Sequence, residues 1–362
     1  MRIIFLCGSL QLGKDGVGDY CLRLAFQLAN SQNEVAIVAL YDKGISLISE
    51  DLCVDNGRSF QTLRIPGFEN NNKRFTHLQN FINLKRPDVI SLQYVPYSFH
   101  SKGLPIKLSR YLKNLNGKFR WHIMFHELYI PNTLSLNKNF FISQIQIKIV
   151  KGLSKRLKPL CLHTSNMYYS DLLARIKLSS KILGLFSNIE GRPTNLMNTI
   201  VDFNSQTTAV YFASLPNENL WSKQLAVYSN TQFKKPLLIL VCGFKNSKTE
   251  NFVDYFKNGG FKIKFLEGLS SDNLLEVFSK ASFGVSRVPK RLIGKSGAAV
   301  AMLEQGLPLW IPLVEDNSYT AEVRPELCFN DLNKLLGKLD QQKVRMERLP
   351  KIAEQFIRDL GI

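Results

Sequence analysis

Short apolar runs recur along this chain, separated by longer stretches whose apolar residues repeat every three or four positions. The runs predict strands at 2–7, 34–41, 60–65, 88–94, 119–125, 159–164 and 181–186. The longer stretches predict helices near 19–31, 74–84, 105–115, 137–157 and 166–176. Residues 187–206, rich in Asn, Gly and Pro, lose the period and read as a linker or an irregular connection. Strands resume near 208–213, 237–242, 261–265, 282–286 and 308–311, and 341–360 reads as a charged amphipathic helix. Alternation of strand and helix is the pattern of parallel α/β sheets. "LLILVCGFKNSK" echoes the opening "IIFLCGSLQLGK". Two Rossmann-like domains are therefore expected, 1–190 and 205–340, followed by a terminal helical segment, 341–362.

A length of 362 residues allows each domain its own core. No apolar run approaches a membrane span and the first residues do not resemble a signal peptide, so a cytoplasmic protein is expected. The six cysteines are scattered without a C-x-x-C pair, which suits buried thiols better than zinc ligands. A net charge of +18 does change the picture, because it asks for an anionic partner: nucleic acid, a membrane face or a phosphorylated substrate. Part of it is concentrated between Leu128 and Ser170, which holds six Lys or Arg and no acid. Lys148, Lys151, Lys155 and Lys158 there have the spacing of one helix face. Such a face is either simply solvated or docks on anionic lipid.

Two glycine-rich stretches carry candidate chemistry. The first, after the opening strand, reads Gly8-x-x-x-x-Gly13-Lys14, the spacing of a phosphate-binding loop. Asp15 stands where a magnesium-binding hydroxyl belongs, and no later strand ends in a suitable carboxylate. The dinucleotide fingerprint fails too, since Gly13, Gly16 and Gly18 fall as G-x-x-G-x-G. Asp19 is the expected N-cap of the following helix. The second stretch, "RLIGKSGAAVAMLEQGLP" (291–308), opens with Ser296 as a natural N-cap and closes with Gly306 as a natural stop. Its small apolar helix must be buried, and its first amides form an anion site beside Arg287, Lys290, Arg291 and Lys295. Glu304, the helix's one charge, is either an exposed acid at a helix end or a carboxylate for paired ribose hydroxyls.

At this point the whole chain resembles the GT-B glycosyltransferases, specifically retaining enzymes of family 4. The likeness rests on the first glycine loop, "FHEL" (125–128), "GFKNSK" (243–248), "LEGLSSDNLLEVFSKASFGVS" (266–286) and "GKSGAAVAMLEQGLP" (294–308). It implies two Rossmann-like domains facing a central cleft, with the last helix returning to the first domain. It places the nucleotide base near Leu269, ribose on Glu304, and the diphosphate at Ser296, Gly297 and Ala298. It also implies a phosphate-neutralising lysine after Gly243, at Lys245 or Lys248, and a donor-sugar contact from His126. Phe244 replaces the family's usual arginine, so Arg287, Lys290 or Lys295 would supply that charge. Ser296 replaces the first glutamate of the family's pair. The variant motif resembles those of bacterial, particularly cyanobacterial, envelope and exopolysaccharide transferases.

Transfer of a hexose, with UDP-glucose as the donor of choice, to a glycan or lipid-linked acceptor is thus expected. No D-x-D motif occurs, so basic side chains and helix amides, rather than a metal, are expected to stabilise the leaving diphosphate. Lys295 is assigned to the β-phosphate, Lys245 to the same charge, His126 to the sugar, and the Gly16 amide to the diphosphate or the acceptor. Tyr94, Tyr97 and Glu127, near strand carboxyl ends, are expected to line the acceptor site. The competing classes are a nucleic-acid-binding protein and a P-loop-like nucleotide-binding protein. Basic and aromatic residues do not interleave as base-stacking platforms would require.

Overall fold

The computed structural model describes residues 1–29, 33–55, 57–129, 138–212, 235–243, 247–313 and 319–361. They form two compact units, one of Met1–Gly184 with Leu349–Ile362 and one of Leu185–Arg348. The first unit is built on β1 (Arg2–Cys7), β2 (Glu34–Asp42), β3 (Ser49–Asp55), β4 (Arg58–Pro66), β5 (Val89–Tyr94), β6 (Arg120–Phe125), β7 (Leu162–Thr164) and β8 (Lys181–Ile182). They lie in the order β3-β4-β2-β1-β5-β6-β7-β8, all parallel except the β3–β4 pair. The chain steps from β1 to β2 on one side and later returns to β5 on the other. Ligands in open α/β sheets bind beyond the carboxyl ends at such a reversal. The helices of this unit are α1 (Gly16–Ala29), α2 (Asn71–Lys85), α3 (Pro96–Phe99), α4 (Leu108–Lys113), α5 (Lys138–Leu157) and α6 (Met167–Arg175), with a returning C-terminal helix.

The second unit holds β9 (Thr207–Phe212), β10 (Leu237–Gly243), β11 (Lys262–Glu267), β12 (Phe283–Val285), β13 (Leu309–Trp310) and β14 (Cys328–Phe329). Their order, β11-β10-β9-β12-β13-β14, repeats the design, with the reversal at β9 and β12. Helices α7 (Ser247–Asn258), α8 (Ser271–Lys280), α9 (Gly297–Glu304) and α10 (Leu332–Leu336) accompany them. Helix α9 is embedded in an apolar core to which its own Val300, Met302 and Leu303 belong together with Leu307, Leu309, Leu240 and Val277. That explains why the helix is apolar all round.

Three expectations need correction. The terminal helix, α11, runs only from Leu349 to Leu360. Pro350 lacks an amide and its ring would strike the carbonyl of a preceding turn, so 341–348 cannot be helical with it. That stretch instead runs along the second unit, Met346 donating its amide to the Glu304 carbonyl at 2.8 Å. Residues 187–206 are irregular, but they are fastened to the second unit rather than hanging as a linker. Met197 is fully buried, and its amide donates to Glu276 at 3.1 Å. Finally, Lys158 is not on the α5 face. It follows the helix in the left-handed conformation (φ 46°), because Pro159 disfavours helical geometry in the residue before it. Lys148, Lys151 and Lys155 remain on the helix and are exposed. Among the described residues, no helix is long and apolar enough to cross a membrane.

Candidate functional site

In the first unit, the loop after β1 is shaped by packing and by two carboxylates. A Cβ on Gly8 would lie 2.4 Å from the Ser98 Cβ, so this glycine admits α3, not a phosphate. One on Gly18 would meet the Ser9 carbonyl at 2.8 Å. One on Gly16 meets nothing within 4 Å, so a small side chain would find room there. Helix α1 begins at Gly16, earlier than expected, and its N-cap is Asp15, whose Oδ1 accepts from the Val17 and Gly18 amides at 3.0 and 3.3 Å. Asp19 instead accepts from Gly13, which has φ 69°. Burial pushes the Asp15 carboxyl upward against those amide bonds. Behind the loop, buried Asp42 accepts from Ser9 Oγ, the Leu10 and Gly44 amides and Arg64 Nε at 3.1, 3.1, 2.8 and 2.9 Å. Burial works against its ionisation, but these donors outweigh it and hold the carboxyl below its usual range. Sequence reading missed Asp42, although an aspartate ending an apolar strand is the available signal.

His126 lies just beyond β6, next to the strand reversal. It is buried, its amide donates to the Tyr94 carbonyl at 3.0 Å, and its ring stands edge-on to Tyr20 with centroids 4.9 Å apart. Its Nε2 lies 2.8 Å from Gln93 Oε1. Glu127 follows, half-buried. Tyr97 is exposed. Tyr94 does not line a site: it is fully buried, stacked on Phe99 and edge-on to Phe125. All six residues of β5 are buried, so a place at the strand's end does not expose the side chain.

In the second unit, the reversal places the segment after β12 at the carboxyl ends of the sheet. A 3-10 turn, Lys290–Lys295, leads to Ser296, whose Oγ accepts from the Ala299 amide at 3.3 Å and caps α9. Ser296, Gly297 and Ala298 are half-buried, and a Cβ on Gly297 would meet nothing within 4 Å. Arg287 is exposed while Lys290 and Lys295 are half-buried. Gly306 ends the helix with φ 78°. Glu304 is not an exposed acid: only 7% of it is accessible, and its Oε1 accepts from the Ser187 amide at 3.0 Å. Seven residues of helix place it about 10 Å from the Gly297 amide. Leu269 packs against the core of this unit, just after Gly268 with φ 62°. Gly243 ends β10. Lys245 lies outside the described residues, and of Lys248 only its place in the first turn of α7 is described.

Sequence reading also missed Glu276, whose side chain is fully buried on α8. It pairs with Lys280 at 2.7 Å and accepts from Thr194 Oγ at 2.6 Å and from Met197. It thus ties down the segment whose Ser187 amide occupies Glu304.

No protein-family model matches the chain, and no curated protein does. Solved structures do. Sucrose-phosphate synthase from Thermosynechococcus elongatus is similar over 99% of this chain and 94% of its own, with 12% identity and a TM-score of 0.64. HepE from Anabaena, solved with UDP and glucose, is similar over 100% and 99%, with 12% identity and a TM-score of 0.61. A protein from Listeria monocytogenes described as a UDP-N-acetylglucosamine 2-epimerase is similar over 98% and 94%, with 10% identity and a TM-score of 0.55. These likenesses establish the fold class: two Rossmann-like α/β domains of the kind found in GT-B glycosyltransferases. The epimerase shows that this fold carries more than one chemistry, so function has to be argued from the residues.

Proposed function

We propose that this chain is a hexosyltransferase using a nucleotide-sugar donor, with UDP-glucose as the donor to be tested first. The observation that carries this reading is α9: an open, capped helix start beside basic side chains, with a buried carboxylate about 10 Å along the same helix. Phosphates at the helix start and ribose hydroxyls at the carboxylate would lay one nucleotide along this helix. Diphosphate charge falls on the amides of Gly297 and Ala298, on Lys295, and on Lys290 or Arg287, with Lys245 and Lys248 as further cations. Glu304 accepts from ribose, and the loop at Leu269 meets the base. No metal is required for this neutralisation. His126 contacts the donor sugar; Glu127 and Tyr97 serve the acceptor, and the Gly16 amide the diphosphate or the acceptor.

In a retaining transfer the acceptor hydroxyl attacks the anomeric carbon from the leaving-group face. The bond from that carbon to the β-phosphate oxygen breaks, a bond to the acceptor oxygen forms, and the phosphate oxygen takes the acceptor proton. Preorganised donors on the departing diphosphate supply the main stabilisation. A glycan or lipid-linked acceptor of polysaccharide synthesis suits the exposed Lys148, Lys151 and Lys155, each worth about 1 kcal/mol near an anionic membrane. Replacing all three with Gln should abolish co-sedimentation with anionic liposomes. Equal binding to neutral vesicles would remove the membrane from the reading.

The donor is tested by calorimetry with UDP in EDTA and by a hydrolysis screen over UDP-, GDP- and ADP-sugars. Lys295→Ala should lower turnover about a hundredfold with little change in UDP affinity. Glu304→Gln, which keeps an acceptor for Ser187, should weaken UDP binding about tenfold. Salt-dependent oligonucleotide binding without UDP binding, or recovery of an isomerised UDP-sugar without UDP release, would overturn the reading.

A further inference from the structure

A continuous line of buried polar groups crosses the first unit's sheet, and it ends at His126. Asp359, on α11, accepts from Lys181 Nζ at 2.8 Å through Oδ1. Its Oδ2 lies 3.1 Å from His163 Nε2 and 3.3 Å from Gln355 Nε2. His163 Nδ1 lies 2.8 Å from His122 Nε2, and His122 Nδ1 lies 2.7 Å from Ser91 Oγ. Ser91 Oγ is 2.7 Å from Gln93 Nε2, and Gln93 Oε1 is 2.8 Å from His126 Nε2. Ser91, Gln93, His122, His126 and His163 are all buried.

The protons along this line can be placed by elimination. An ionised carboxylate only accepts, so His163 Nε2 carries a proton. Burial keeps His163 and His122 neutral, lowering both below their ordinary value, so His163 Nδ1 must accept and His122 Nε2 must donate. His122 Nδ1 then accepts from the Ser91 hydroxyl. Ser91 Oγ, its proton committed, accepts from the Gln93 amide nitrogen. That orients the amide and leaves Gln93 Oε1 to accept from His126 Nε2–H. Every bond points toward Asp359. Aligned bonds of this kind polarise one another.

We propose that this relay, starting at the Asp359 carboxylate, locks His126 in its Nε2–H tautomer, making Nδ1 its basic atom. Asp359 on the C-terminal helix is then a positioning residue for a side chain of the candidate site. Asp359 is held ionised although burial opposes it, because the Lys181, His163 and Gln355 donors prevail. Two further titratable groups lie against the line: Tyr20, whose ring stands edge-on to His126 and whose hydroxyl burial pushes up, and Cys161, whose Sγ is 4.0 Å from His163 Nδ1 and whose thiol burial pushes up to about 11. Cys161, His122 and His163 bring three ligand atoms within 4.8 Å of one another. A cation there would have to displace the proton shared by the two imidazoles.

The lock itself is independent of glycosyl transfer; only its consequence for turnover rests on that reading. The test is imidazole nitrogen–proton correlation NMR on the full chain at neutral pH, labelled at its five histidines, with His126→Gln assigning one signal set. His122, His126 and His163 should all show the Nε2–H pattern. Ser91→Ala touches neither end, yet it frees the Gln93 amide to turn over, and His126 should then show both tautomers. Asp359→Ala lets water or the Lys181 ammonium donate to His163 Nε2, so the reversed chain becomes available and His126 should again show both. A pure Nε2–H signal for His126 in either variant overturns the relay. So does an Nδ1–H pattern in the wild type, or zinc added at equimolar concentration shifting His122 Nε2. If the NMR results hold while donor hydrolysis is absent, the relay stands and the transferase reading fails.

Discussion

Replacing Glu276 with Gln is the sharpest stability test of the second unit. The side chain is fully buried, and its charge is matched by Lys280 at 2.7 Å, Thr194 Oγ at 2.6 Å and the Met197 amide at 3.1 Å. Gln keeps the shape but removes the charge that strengthens all three bonds. Bonds to a charged group exceed neutral ones by about 1 kcal/mol each, and the amide nitrogen must also face one donor. Lys280 retains Asn195 and Asn198 at 3.2 and 2.9 Å and is partly solvated, which limits the loss. The expected cost is about 2–4 kcal/mol, or a fall in Tm of about 4–15 °C for a domain of this size. The pH dependence has a definite sign. Burial alone would raise this carboxyl, but Lys280, Thr194 and Met197 bring it below its usual 4.5. Its stabilisation is therefore complete above that value and lost as pH falls below it, so variant and wild type should converge in acid. Differential scanning fluorimetry across pH reads the difference, and hydrogen exchange at Met197 localises it. An unchanged Tm at pH 7 with unchanged exchange at Met197 would refute the claim that this carboxylate fastens 187–206.

The glycine loop offers a paired test. Gly18→Ala forces a Cβ to 2.8 Å from the Ser9 carbonyl and should destabilise by about 1–3 kcal/mol despite alanine's better helix propensity. Gly16→Ala meets open space and should leave Tm within about 2 °C, yet slow transfer if a ligand sits against that amide. Asp42→Asn sets an amide nitrogen against the Leu10 amide or Arg64 and should cost about 2–4 kcal/mol at pH 7 by urea unfolding. Because this carboxyl is held below its usual 3.8, the gap should close only as pH falls below that value.

What could be read in advance follows from which interactions are local. Apolar strands and capped helices carry their own signals, so the alternation of β and α and the limits of α9 were legible. β3 was missed because SEDLCVD is mostly exposed and pairs only with β4 at the sheet's edge, where burial imposes no apolar pattern. Tyr94 was misplaced for the opposite reason. Its position at a carboxyl end was correct, but the direction of its side chain depends on Phe99 and Phe125 packing around it. The polar line through the sheet lay furthest from view. Ser91 and Gln93 share a face at period two, and His122 and His126 repeat that spacing across two pleats, which marks polar residues inside apolar strands. Nothing in sequence separation connects them to His163 or to Asp359, which is 196 residues further on. Such groups are brought together only when the returning helix docks, and α11 docks through Phe356 against Phe5 and His122. The apolar face that makes α11 recognisable is thus also what carries Asp359 to the end of the relay. Fold and candidate chemistry meet in that one helix: loosening its packing should disturb His126 even where no residue near His126 has changed.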